Sequence, residues 1–367
     1  MNLGLKELRR RPGRFGAAAA ALVLISVLTL FLGGLLDGLY LGSTGALRAQ
    51  PGDLMTFSGN SKLSVIRSRI TGEQRAEIAK IDGVTAVGGV GFALVSAAVP
   101  NQSEPASVTV IGYELAPAGV PDRPMVGEAY ADQSLETKGV RIGQVLAVGP
   151  KQLPIKVVGF VSDTNFLQQG ALWTAPTTWR EVLASARPDQ TLPSGTFQAV
   201  TVQTARATDP AGQASIAASI DRSVAGVRTV TRDDAVLALP GIKEQNSTFT
   251  AVIGVTLLVA GIVVALFFAL LTLERTGMYG VFKAIGASSG QVFAGVITQA
   301  LVVAVVSFLV SVLLVVLAAA GIGDALPLTL VPRRLATTAL ALTVTAALGA
   351  AISLRRVVRI DPAAAIG

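Results

Sequence analysis

The chain contains neither histidine nor cysteine, and this closes off most of the usual agents of catalysis. Structural zinc, the common catalytic zinc sites, thiolate nucleophiles and Ser-His-Asp triads are excluded by composition alone. A Ser-Lys or paired-carboxylate mechanism stays formally open. Asp132 and the pair Asp233-Asp234 qualify for it by residue type only, and a solvated surface or the N-terminus of a short helix accounts for them better. No G-x-x-x-x-G-K-[ST] sequence occurs, so the chain cannot cradle ATP by itself. Gly88-Gly89-Val90-Gly91 lacks a third glycine at the spacing of a dinucleotide loop, and no long helical pattern starts there. The segment with patterned chemistry is 274–290, where Met278, Val281, Phe282 and Ile285 fall on one helical face beside Glu274, Arg275 and Lys283. Gly286 supplies a helix stop, and Ser288-x-x-Gln291 can cap the next span. Periodicity alone leaves two readings of this helix, one lying in the lipid interface and one inserting into a cytoplasmic partner.

The elements that must position this segment are apolar. Four stretches without Asp, Glu, Lys or Arg, 15–36, 247–273, 291–323 and 335–354, are long enough to cross a bilayer, for which about 20 residues suffice. One precedes and three follow a polar block of about two hundred residues. The 51% hydrophobic and 14% charged composition reflects these spans, since soluble chains carry about 25% charged residues. The first run is too long for a signal-peptide core and lacks a small-x-small cleavage site. Ion-coupled carriers keep ionisable groups at membrane depth, so uncharged spans argue against an ion-driven carrier. Gly33, Gly34, Gly254, Gly261 and Gly295, with Ser307 and Ser311, offer small faces for helix contact, within one chain or in a dimer.

Charge sets the expected orientation. Residues 38–246 hold 18 basic and 18 acidic side chains, so the net charge of +7 lies elsewhere. With the N-terminus inside, Lys6, Arg9, Arg10, Arg11, Arg14, Arg275, Lys283, Arg355, Arg356 and Arg359 gather on the cytoplasmic side against Glu7, Glu274 and Asp361, as the positive-inside rule requires. The basic balance therefore needs no nucleic acid. The expected organisation is a cytoplasmic amphipathic N-terminal helix (1–14), spans at 15–37, 247–273, 291–323 and 335–354, an extracytoplasmic domain at 38–246, a cytoplasmic loop at 274–290, an external loop at 324–334 and a cytoplasmic tail at 355–367. The fold class is thus a four-helix membrane protein with an α+β extracytoplasmic domain between helices 1 and 2.

Within the polar block, 53–57 and 107–112 read as strands. Thr71-Gly72-Glu73-Gln74 reads as a capping box opening a helix through Ile81. The runs 143–148 and 154–161 read as strands joined by a turn at Gly149-Pro150. A helix is expected within 173–186, a strand at 197–203 and an amphipathic helix at 211–224. Two α+β subdomains are expected, 50–120 with 200–235, and 125–190. Without cysteine the domain must be held by its own core, which two hundred residues can build.

Glu274-Arg275 followed by Gly280, Lys283-Ala284 and Gly286-Ala287-Ser288 resembles the E-R-x-x-x-x-G-x-x-[RK]-A-x-G-A-S signature of the FtsX-like permeases of ABC transporters. The basic entry from Leu5 to Pro12 resembles that family's N-terminal helix, and Arg355-Arg356-Val357-Val358-Arg359-Ile360-Asp361-Pro362-Ala363-Ala364-Ala365 resembles its closing R-x-x-x-[LI]-[DN]-P-x-x-A-L motif. Val140-Arg141-Ile142-Gly143-Gln144 and Val157-Val158-Gly159-Phe160-Val161 resemble a turn and a strand of the family's outer domain. The chain departs from the pattern at Thr276-Gly277-Met278, where relatives carry further charges.

The resemblance implies a non-catalytic permease subunit in the plasma membrane. Its 274–290 loop would be a coupling helix on a separate ABC ATPase, with Glu274, Arg275, Gly280, Lys283, Gly286 and Ala287 at the contact. No cofactor is implied for this chain, ATP and Mg²⁺ being held by the partner. A second permease copy, identical or related, is implied, and an extracytoplasmic adaptor is compatible. Arg355, Arg356 and Arg359 are expected to anchor to lipid headgroups. ATP-driven movement of the outer domain, for export or extraction of a lipidic, peptide or drug-like substrate, is the leading expectation. The alternative is an FtsX-like signalling subunit that activates a cell-wall hydrolase, and the large outer block favours the former.

Overall fold

The structure, a computed structural model, describes residues 12–121, 123–190, 192–274, 289–323 and 326–358. It divides into two compact units, one made of residues up to Gly38 and from Gln245 onward, the other of Leu39–Glu244. Helix α1 (Pro12–Arg48) supplies residues to both. It does not stop where its apolar run ends at Leu36, because Tyr40, Ala46 and Leu47 continue a buried face for three more turns.

The helical unit contains the first part of α1 together with α6 (Ile242–Leu273), α7 (Ser289–Ile322) and α8 (Pro332–Val358). Four stretches of these helices, Gly16–Arg48, Ile242–Leu271, Ala294–Ile322 and Pro332–Ile352, are long and apolar enough to cross a membrane, with mean hydropathy 2.5, 2.8, 3.2 and 1.8. The chain is a multi-pass membrane protein. Leu22, Val264, Phe268, Val296, Ala300, Val303 and Ala346 form the buried centre. Apolar packing alone gives helices little reason to associate in lipid, so close approach and interhelical hydrogen bonds matter. Both occur here. The Ser307 and Ser311 hydroxyls donate to the carbonyls of Ala19 (3.2 Å) and Val23 (3.1 Å) on α1. A Cβ on Gly349 of α8 would lie 2.7 Å from the Gly261 carbonyl of α6. Of the other glycines expected to give small faces, Gly33 and Gly34 meet close neighbours, whereas Gly254 and Gly295 have nothing within 4 Å.

Among its described residues the second unit has nine strands: β1 (Leu54–Ser58), β2 (Val84–Ala98), β3 (Ala106–Tyr113), β4 (Glu128–Asp132), β5 (Val145–Val148), β6 (Leu153–Val161), β7 (Gly170–Thr174), β8 (Ala199–Thr204) and β9 (Val227–Thr231). Their order is β3-β7-β4-β6-β5-β2-β8-β1-β9, and β3 also pairs with β2. That last pairing closes β2, β3, β7, β4, β6 and β5 into a ring, while the first half of β2 extends outward to β8, β1 and β9. Val90 is the branching point, opposite Tyr113 of β3 on one edge and Ala199 of β8 on the other. Residues 50–120 and 125–190 are not separate sheets, since β3 runs parallel to β7 and β2 pairs with β5 through Ala97 and Ala98.

Alternation sorts the core. Val90 and Phe92 of β2 with Ile111 and Tyr113 of β3 point to one cluster, and Ala93 and Ala97 with Val108 and Val110 to another. The outer faces of β1 and β8 are covered by α2 (Gly72–Ile78) and α4 (Pro210–Ser223), where Ile78, Ile216 and Ile220 pack on Leu54, Val200 and Val202. Each such side chain contributes about 1.5–3 kcal/mol on burial. The expected capping box is formed: Thr71 accepts from the Gln74 N–H at 3.2 Å, and Gln74 Oε1 accepts from the Thr71 N–H at 3.0 Å.

The glycine run within β2 has a steric cause. Trp179, on α3 (Pro176–Ala186), is fully buried and stacks on Phe197 at 5.4 Å with 6° between planes. A Cβ on Gly91 would meet the Trp179 ring at 2.0 Å, and one on Gly112 would meet the Trp179 Cβ at 2.6 Å and its ring at 2.9 Å. Gly89 and Gly91 are therefore strand positions cut down to admit the phenyl and indole rings, while Gly88 makes room for Leu115. Arg180 closes this stack, 4.8 Å from the Phe197 centroid, and donates to the Thr196 carbonyl at 2.7 Å. Burial holds its guanidinium below the ordinary arginine value, Glu114 opposes that and Arg75 adds to it.

Candidate functional site

Of the residues assigned to the coupling contact, Glu274 falls among those described. It follows the last residue of α6, is exposed, and donates its backbone N–H to the Leu270 carbonyl at 3.0 Å. Arg275, Gly280, Lys283, Gly286 and Ala287 lie outside the described residues, as do most of the N-terminal segment 1–14 and of the tail 355–367. The structure therefore shows helix α6, which ends at Leu273 before the expected coupling segment, and helix α7 after it, beginning at Ser289.

The polar unit holds the C-terminal turns of α1 in a built socket. The loop 163–168, between β6 and β7, wraps the helix. Leu167 and Gln168 N–H groups donate to the carbonyls of Ser43 (3.1 Å) and Gly42 (2.9 Å), and the Ala46 N–H donates to the Asn165 carbonyl (3.0 Å). The Gln168 amide donates to the Leu39 carbonyl at 2.8 Å and to Ser43 Oγ at 2.9 Å. These bonds are made to backbone groups inside the helix, upstream of the last four carbonyls that its C-terminus leaves unpaired. Arg48 grips Asp163 in a two-pronged pair at 3.0 and 2.6 Å. Being partly exposed, the pair is worth about 1 kcal/mol at most. Gly45 makes the fit possible, since a Cβ there would lie 2.5 Å from the Asp163 carbonyl.

The loop is held under backbone strain. Asp163, Leu167 and Gln168 all adopt positive φ (58°, 49° and 64°), which costs of order 1 kcal/mol each. Asp132 offsets this. Its buried carboxylate accepts from the Thr164 N–H (2.8 Å), the Thr164 hydroxyl (2.7 Å) and the Ser134 N–H (2.9 Å). With its amide nitrogen turned inward, Asn165 donates to Asp132 Oδ1 at 3.0 Å and to the Gln169 carbonyl at 3.3 Å. Asp132 is thus a structural anchor for the α1 socket. Asp234 is likewise occupied, accepting from the Thr231 hydroxyl at 2.7 Å while its N–H donates back at 3.1 Å at the start of α5 (Arg232–Leu237).

Sequence reasoning does not find this socket, and its only signals are the glycines Gly42 and Gly45 three apart in a helix that outruns its span. Nor does it find the pair Asp37–Arg334, which joins α1 to α8 within the helical unit through two hydrogen bonds, Nε at 2.9 Å and Nη2 at 2.6 Å. Both residues border apolar runs, where charge counting alone cancels them.

The model of the FtsX-like permease C-terminal family matches residues 250–362, which span most of α6, the 274–290 segment, α7 and α8. An uncharacterized ABC transporter permease of Mycobacterium tuberculosis is 26% identical over 375 residues, covering 99% of this chain and 98% of its own. The putative hemin transport system permease protein HrtB of Staphylococcus epidermidis is 19% identical over 370 residues, covering 100% of this chain and 99% of its own. Among solved structures, the extracellular domain of the noncanonic ABC-type transporter YknZ from Gram-positive bacteria matches at 13% identity and TM-score 0.35, over 49% of this chain and 99% of that one. The periplasmic region of MacB from Actinobacillus actinomycetemcomitans matches at 15% identity and TM-score 0.35, over 53% and 96%. Residues 250–362 thus match the C-terminal domain model of the FtsX-like permeases, and the chain is similar along its whole length to ABC transporter permeases.

Proposed function

We propose that this permease converts ATP hydrolysis by a separate ABC ATPase into movement of the Leu39–Glu244 unit on the extracytoplasmic side. The observation that carries the reading is the FtsX-like match at 250–362, which brackets the family's coupling segment with two membrane-crossing helices. An ABC permease works with a partner ATPase, and the 274–290 loop, with Glu274, Arg275, Gly280, Lys283, Gly286 and Ala287, is the surface we assign to it. Helix α1 is the means of transmission. It runs unbroken from Pro12 to Arg48, and its last turns sit in a socket of hydrogen bonds, so a displacement of α1 carries that socket with it. Spans without charged residues suit transmission of movement better than conduction of ions.

The complex contains a second permease, and both termini are cytoplasmic by the charge distribution. The chain itself is non-catalytic and needs no cofactor. The substrate is lipidic, peptide or drug-like. Hemin, named in the staphylococcal relative, is not carried over to this chain. Reversing both cations, Arg275→Glu with Lys283→Glu, tests the reading. Substrate handling and ATPase stimulation are expected to fall together while membrane insertion persists, and unchanged coupling would remove the assignment.

A further inference from the structure

Residues 326–334, which lead into α8, lie against one face of α1, and the contact is tighter than connection of two spans requires. Gly33 and Asp37, and Gly34 and Gly38, are spaced by four residues and so form a single stripe. A Cβ on Gly38 would fall 1.7 Å from the Pro327 carbonyl oxygen, backbone against backbone. At Gly34 it would meet Leu330 at 3.1 Å and Leu328 at 3.4 Å, and at Gly33 the Arg334 side chain at 3.0 Å. The Thr329 N–H, in an extended segment without secondary structure, donates to the Gly34 carbonyl at 3.0 Å. Arg334 then closes over the stripe with its two bonds to Asp37. The planar guanidinium and the carboxylate match in a fork, the strongest form of such a pair. Their side chains are only 27% and 16% exposed, so each depends on the other for solvation.

We propose that residues 326–334 are a latch that fixes the C-terminal part of the first span to the start of the fourth, with Asp37–Arg334 as its bolt. Ionisable groups at the borders of membrane-crossing helices are costly and are kept where they act. The glycine stripe removes every side chain that would hold the segment off, and the ion pair adds direction to a contact that apolar packing would leave free to slide. Helices α1 and α8 therefore shift as one body. Opening the latch separates them.

Hydrogen exchange on the full-length chain in lipid nanodiscs tests this without any partner. The Thr329 amide should be protected like a helical amide although its segment has no secondary structure. Arg334→Gln should speed its exchange about tenfold, as release of a local contact does. The exchanged pair Asp37→Arg with Arg334→Asp should restore protection. The chain has no cysteine, so Leu28→Cys and Leu340→Cys, both on exposed positions of α1 and α8, can carry spin labels. The distance between them should be narrowly distributed in the parent chain and broadened by Arg334→Gln. A freely exchanging Thr329 amide in the parent chain, or an unbroadened distance in the variant, would overturn the latch. If Arg334→Gln fails to insert, the parent amide and the swapped pair decide the matter alone.

Discussion

Gly45 is the position where the socket makes its sharpest quantitative demand. Replacing glycine by alanine within a helix ordinarily stabilises by about 0.5–1 kcal/mol. At Gly45 the added Cβ would sit 2.5 Å from the Asp163 carbonyl oxygen and 2.9 Å from the Asn165 nitrogen. Both are backbone atoms of a loop already carrying three left-handed residues, so neither can yield cheaply. Overpacking of this kind costs about 1–3 kcal/mol. The clash outweighs the propensity gain, leaving a net loss of about 1 kcal/mol at the socket, or about a fivefold rise in local opening. Exchange at the Ala46, Leu167 and Gln168 amides, which cross the contact, should quicken by that factor in Gly45→Ala and by more in Gly45→Val. Amides in β1 and β8 should be unaffected. ATP-driven function should fall in the same order while ATPase binding is retained. Slower exchange in Gly45→Ala would mean that helix propensity wins and that the close approach is not real, which would refute the socket.

Asp132→Ala should loosen 163–169, because four groups lose their acceptor. A cost of about 1–3 kcal/mol should appear as exchange at Thr164, without the loss of any hydrolytic activity. Trp179→Ala should cost about 3–5 kcal/mol, read from thermal unfolding of the full chain in detergent, since the ring fills the space that Gly91 and Gly112 leave. Ser311→Ala removes one bond between α7 and α1 and should weaken their association by about 0.6 kcal/mol, measurable by cross-linking yield between cysteines placed on the two helices. Thr71→Ala should cost about 1 kcal/mol through loss of the capping box on α2, read from the same thermal unfolding.

The spans, the capping box, the β5–β6 hairpin and the helix at Pro210–Ser223 were legible because each depends on local pattern: uninterrupted apolar length, an S/T-x-x-E/Q spacing, a glycine turn, an amphipathic period. The central strand was not. Val84–Ala98 contains the run Gly88-Gly89-Val90-Gly91, which breaks the alternation of large residues, and at Gly91 the reason is the ring of Trp179 on an element about ninety residues away. The closure of six strands was hidden for the same cause, because it rests on pairings such as β3 with β7 that sequence spacing does not encode. The α1 socket and the Asp37–Arg334 latch each join residues more than a hundred positions apart, with only glycines and single charges to mark them. The family resemblance carried by 274–290 was legible from its signature residues, and the match at 250–362 supports that resemblance.

Affinity purification of the tagged chain from gently solubilised native membranes, in the presence of a slowly hydrolysed ATP analogue, tests the central claim most directly. The coupling reading predicts a stoichiometric soluble ATPase bearing a P-loop, lost when Arg275 and Lys283 are both reversed. Recovery of the chain with no ATPase under these conditions would contradict it.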